Sequence, residues 1–112
     1  MTYIQAVSTQ NSVRPQETTA NSTEVPFVIK VASSSKTTAV AGAIAGIVRQ
    51  NHEAKVQAVG AAAVNQAIKA IAIAVGYLKT DGIHVICIPY FAQITIDNED
   101  RTAMRFQIEP RM

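Results

Sequence analysis

The sequence predicts a small two-layer α/β domain of order β-α-β-α-β-β, with a mixed four-stranded sheet and both helices on one face. Three observations predict it. The stretch Lys55-Val56-Gln57-Ala58-Val59 alternates polar and apolar residues with the period of a strand, and from Ala61 onward Val64, Ile68, Ile71, Val75 and Leu78 recur at helical spacing. A second strand-to-helix succession precedes it, between Phe27 and Val48. The C-terminal part is rich in β-branched and aromatic residues around a polar turn. Short connections and right-handed crossovers leave few ways to assemble two βαβ units and a terminal hairpin.

Taken in order, residues 1–25 are rich in Ser, Thr, Gln and Asn, contain Pro15, and show no sustained period. Such a segment buries too little apolar surface to offset its ordering entropy, so a flexible tail is expected. The alternative is that Tyr3, Ile4 and Val7 add an edge strand to a neighbouring subunit. The domain itself is expected to span 26–112. Phe27-Val28-Ile29-Lys30-Val31 reads as the first strand and Ser33-Ser34-Ser35-Lys36-Thr37-Thr38 as a polar loop. The first helix carries Val40, Ile44, Ile47 and Val48 on its apolar side. Its Gly42 and Gly46 each cost about 1 kcal/mol of helix propensity, which predicts a close backbone neighbour. Gly60 supplies the freedom for an abrupt turn between the second strand and the second helix. After Asp81-Gly82, both alternating sets of Ile83 to Ile88 are apolar, so this strand is expected inside the sheet, covered on both faces. Pro89 removes a ladder donor and predicts a bulge or a step out of the sheet.

The last hairpin is expected to keep its apolar residues on one side. An odd loop of three residues, Asn98-Glu99-Asp100, or of five, does this by setting Ile96 opposite Thr102, Ile94 opposite Met104 and Ala92 opposite Phe106. Asp97 then faces Arg101, and Gln93 faces Arg105, on a polar outer surface.

Composition narrows the function. At 112 residues the chain is one domain with at most a tail, small enough for oligomerisation to help it. The net charge is +2; without the first 25 residues, which hold Arg14, Glu17 and Glu24, it is +3, a weak electrostatic footprint. Cys87 is the one cysteine and lies in an apolar run, which predicts a buried, inert thiol and a reducing compartment. The N-terminus shows no export signal, and the apolar run from Val56 to Leu78 is broken by Gln57, Asn65, Gln66 and Lys69. A soluble, cytoplasmic protein without membrane partners is expected.

No catalytic constellation emerges. Ser34-Ser35-Lys36-Thr37-Thr38 sits where a P-loop would, but lacks the glycines that let backbone amides cradle phosphates. Gly60 stands alone where a dinucleotide fingerprint needs three glycines. Asp97, Glu99 and Asp100 share one turn as ordinary solvated charges, and His52 and His84 lack companions with ligand spacing. No enzyme activity, cofactor, metal or small-molecule substrate is expected. Binding has modest support. Lys36 and Ser35 combine a cation, a hydroxyl and helix-terminal amides suited to phosphate. Asn65 and Lys69 offer polar contacts off the apolar stripe of the second helix, and Arg101 and Arg105 alternate outward on the last strand.

Five ordered motifs sharpen this reading. The segments Val40-Ala41-Gly42-Ala43-Ile44-Ala45-Gly46, Gln57-Ala58-Val59-Gly60-Ala61, Val64-Asn65-Gln66-Ala67-Ile68-Lys69-Ala70, Ile86-Cys87-Ile88-Pro89 and Arg101-Thr102-Ala103-Met104, closing on Glu109-Pro110-Arg111, resemble the stage V sporulation protein S family over residues 28–111. The resemblance implies an Alba-like fold, a place in bacterial development such as spore formation, and a homodimer that binds DNA or RNA through loop lysines and the terminal hairpin. The family's lysine before the first helix is replaced by Ser34 and its Pro-Asn by Thr37-Thr38, which shifts the loop cation to Lys36. The expected function is a non-enzymatic nucleic-acid-binding regulator contacting phosphates through Lys36, Ser35, Asn65, Lys69, Arg101 and Arg105. The alternative is a self-assembling or protein-binding developmental factor.

Overall fold

A computed structural model describes residues 28–111. The expectations for the tail and for the start of the domain at Pro26 fall on residues outside that range. The elements are β1 (Val28–Val31), α1 (Thr37–Asn51), β2 (Ala54–Ala58), α2 (Ala61–Lys79), β3 (Val85–Ile96) and β4 (Glu99–Pro110). The strands form one mixed sheet of order β1-β2-β4-β3, with β1 parallel to β2 and the other two pairs antiparallel. This is the two-layer, Alba-like β-α-β-α-β-β arrangement, with α1 and α2 packed on each other and on the sheet.

Alternation explains which face is covered. Ile29, Val31, Ala54, Val56, Ala58, Phe106 and Ile108 share one face by register and join the buried cluster with both helices. Their in-between neighbours Lys30, Lys55, Gln57, Arg105 and Gln107 point to the opposite face, which is bare of helices among the described residues.

The helices reach the sheet through small residues. α2 buries Ala63, Ala67, Ala70, Ile71, Ala74 and Leu78, and α1 buries Ala41, Ile44, Ala45 and Val48. Of the stripe expected on α2, Ile71 and Leu78 are buried, Val64 and Val75 are half-buried, and Ile68 is 46% exposed. Alanine won the core-facing positions because a short side chain lets two helices and a sheet approach closely, leaving the larger residues on the flank. Gly42 and Gly46 do not mark a close neighbour among the described residues: a Cβ at either meets none of them within 4 Å.

The C-terminal strands depart most from expectation. β3 is an edge strand, with Ile86, Cys87, Ile88, Pro89 and Phe91 exposed. Its continuous apolar run does not reflect burial between neighbours. Pro89 causes no bulge, because the register runs unbroken through Pro89↔Phe106, and an edge strand tolerates a missing donor. The hairpin loop is even, with Ile96 paired to Glu99, Ile94 to Arg101, Ala92 to Ala103, Gln93 to Thr102 and Tyr90 to Arg105. Asp97 and Asn98 form the turn, with φ of 52° and 65°, the doubly left-handed geometry that matches the twist of a tight hairpin. Arg101 therefore faces Ile94 instead of Asp97, and Arg105 faces Tyr90 instead of Gln93. Matching apolar faces misled because the hairpin outruns its neighbour. The β2–β4 ladder stops at Ala58↔Met104, so residues 99–103 have no β2 partner.

Candidate nucleic-acid interface

β1 and β2 run parallel, so both deliver the chain to the same end of the sheet. At that end β1 passes through residues 32–36 into α1, β2 passes through Val59-Gly60 into α2, and the β3–β4 hairpin projects beyond them. Gly60 takes φ 91° at the N-cap of α2, a conformation that side-chain-bearing residues rarely adopt. Lys36 is the N-cap of α1. Neither N-cap residue makes a side-chain cap hydrogen bond, and neither first turn contains an acidic residue, so among the described residues the free N–H groups and the positive dipole ends are available to an anion.

The six residues expected to bind divide into two groups. Ser35, Lys36, Asn65 and Lys69 lie on the helical side. Ser35 is chiefly a turn residue: its Oγ accepts from the Ala32 N–H at 2.9 Å, and its carbonyl accepts from Gln66 Nε2 at 2.7 Å. The second bond ties the Lys36 loop to α2 beside the exposed Asn65. Lys69 is exposed one turn further along. Arg101 and Arg105 lie on the bare face. Arg101 is exposed near the hairpin tip; Arg105 is half-buried at mid-sheet, its Nε donating to Gln57 Oε1 at 2.8 Å. The Lys36 end and the Arg105 region thus belong to different surfaces.

The bare face also holds residues that sequence reasoning passed over. The register aligns Lys30, Gln57, Arg105 and Tyr90 in one row across all four strands, and Val28, Lys55, Gln107 and Ile88 in the next. The signal was the alternation itself, with Lys30 between Ile29 and Val31, and Lys55 and Gln57 on either side of Val56. What alternation cannot supply is which rows meet. Gln107 Nε2 donates to Glu53 Oε1 at 2.6 Å and lies 3.4 Å from Glu109 Oε1, so two acidic residues of this face are engaged at its far margin. A cleft of about 540 Å³ opens where the row reaches the N-terminus of α2, lined by Lys30, Gln57, Gly60, Ala62 and Ile96 among others.

Cys87 is exposed, contrary to the expectation of a buried thiol. Neighbouring side chains still withdraw enough solvent from its sulfur to push the thiol up from its ordinary value.

The family model described as stage V sporulation protein S matches residues 27–111. That span contains every described strand and helix, both helix N-termini and the bare face. The resemblance carried by the five motifs and the β-α-β-α-β-β fold converge on the same result: the chain belongs to the stage V sporulation protein S family.

Proposed function

We propose that this protein is a non-enzymatic, nucleic-acid-binding regulator acting as a cytoplasmic homodimer. Membership of the family implies a sporulation-related role. The observation that supports nucleic-acid binding is the gathering, at one end of the sheet, of two helix N-termini with no N-cap side-chain bond and no acidic residue in the first turn, the Lys36 loop and the Arg101 hairpin. Backbone amides, a helix dipole and a flexible cation together suit a phosphate backbone. The limited charge predicts modest affinity and strong loss with salt.

The test is fluorescence anisotropy of labelled single-stranded RNA and duplex DNA at two salt concentrations, with Lys36→Ala and Arg105→Ala beside the unaltered protein. Weakening by Lys36→Ala, with a shallower salt dependence, supports the reading. Absence of binding to either probe at low salt overturns it.

A second reading, self-assembly or protein binding, is favoured by the apolar edge of β3. Ile86 and Ile88 are 38% and 44% exposed on its bare-face side, and Phe91 is 75% exposed on the helical side. A long edge strand that is apolar on both sides invites another chain. This edge is the natural contact for the second copy in the homodimer, and in the absence of nucleic-acid binding it becomes the principal functional surface.

A further inference from the structure

We infer that the bare face of the sheet is a platform for single-stranded nucleic acid, crossed along the Lys30–Gln57–Arg105–Tyr90 row. This rests on the nucleic-acid reading above and specifies both the form of the ligand and a surface different from the Lys36 loop. The row spans four strands at roughly 4.8 Å spacing, about 14 Å in all. A four-stranded sheet with helices on one side presents such a width to two or three unstacked bases.

Each member of the row has a distinct use. Tyr90, half-buried at the β3 end, offers a ring on which a base stacks. Arg105 is held through Nε by Gln57, and a guanidinium fixed in that way keeps its remaining N–H groups for a phosphate. Gln57 is only 8% exposed, and its Nε2 has no partner among the described residues. A buried amide donor beside an open cleft suits the edge of a base. Lys30 is exposed at the cleft rim and supplies a second cation.

Charge argues for this occupant over another protein. Lys30, Lys55, Arg101 and Arg105 all lie on the bare face. Of its acidic residues, Glu53 and Glu109 are grouped around Gln107 at one margin, and Glu99 sits at the hairpin tip. A polyanion meets Lys30, Lys55 and Arg105 across the face and Arg101 toward the hairpin tip. A duplex keeps its bases paired and has no use for Tyr90 or Gln57, so the row selects single strands.

The experiment compares anisotropy of a labelled single strand and of the duplex of the same sequence, using the full chain, Lys30→Ala, Tyr90→Leu, Tyr90→Phe and Lys36→Ala, with the elution volume of each protein recorded. Single strands are expected to bind more tightly than duplex. Tyr90→Leu is expected to weaken single-strand binding about fivefold or more while Tyr90→Phe, which keeps the ring, binds normally. Lys30→Ala is expected to lower the slope of log K against log salt by about 0.7. Normal single-strand binding by both Lys30→Ala and Tyr90→Leu, with Lys36→Ala impaired, overturns the platform and leaves the broader nucleic-acid reading standing. Binding of neither probe by the unaltered protein overturns both. A change of oligomeric state in Tyr90→Leu with unchanged binding overturns the platform by making this face a contact between copies.

Discussion

Cys87 shows what one residue's surroundings decide. Its neighbours in sequence are apolar, yet it is exposed because the strand carrying it is the sheet's edge. Exposure and a raised pKa act in opposite directions on reactivity: reagents reach the sulfur, but the thiolate that attacks them is scarcer at neutral pH. Iodoacetamide is therefore expected to label Cys87 fully in the folded protein, more slowly at neutral pH than it labels a free thiol, with the rise in rate displaced to higher pH. Denaturation should return the profile to that of a free thiol. Failure to label the folded protein would contradict the edge position. The same sensitivity to position separates Arg101 from Arg105. Both alternate outward, as the last strand's pattern required, but only Arg105 meets a β2 partner.

At the scale of the element, α1 carries a cost without a local explanation. Gly42 and Gly46 are helical and a Cβ at either meets none of the described residues within 4 Å. Gly42→Ala and Gly46→Ala are expected to stabilise the isolated fold by up to about 1 kcal/mol each, measured by urea unfolding of the monomer. Destabilisation, or a change in assembly, would show that a second chain packs against this helix and that the glycines serve that contact. The β3–β4 hairpin teaches a complementary point. Its turn, Asp97-Asn98, adopts left-handed φ at both residues, and local turn geometry set the register of all the pairs down to Val85↔Pro110. Face matching works where a neighbouring strand and the helices fix which face is covered, and residues 99–103 have no β2 partner to do so.

For the whole molecule, apolar surface is distributed unevenly. The core lies between the helices and β1, β2 and β4, while β3 and the flank of α2 leave Ile68, Tyr77, Ile86, Ile88 and Phe91 exposed. Size-exclusion chromatography with light scattering is expected to give the mass of a dimer for the unaltered protein. Phe91→Ser, at a residue 75% exposed, is expected to shift it to the monomer without unfolding it. A dimer that survives this change would place the contact elsewhere, with the glycine face of α1 the next candidate.

Periodicity in the sequence alone determined the number, order and type of the elements, the two strand-to-helix units, the position of Gly60 at the second junction, and the alternation that sends Lys30, Lys55, Gln57 and Arg105 away from the core. It also carried the family, through motifs that are local by nature. Only the tertiary structure decided that β3 is an edge, that alanines instead of Ile68 face the core, and that Lys36 and Arg105 lie on separate surfaces. These are matters of what lies beside an element. A strand's own pattern reports how apolar it is, but whether that apolar surface meets a helix, another strand or solvent depends on strand order and register, which residues far apart in the chain settle together.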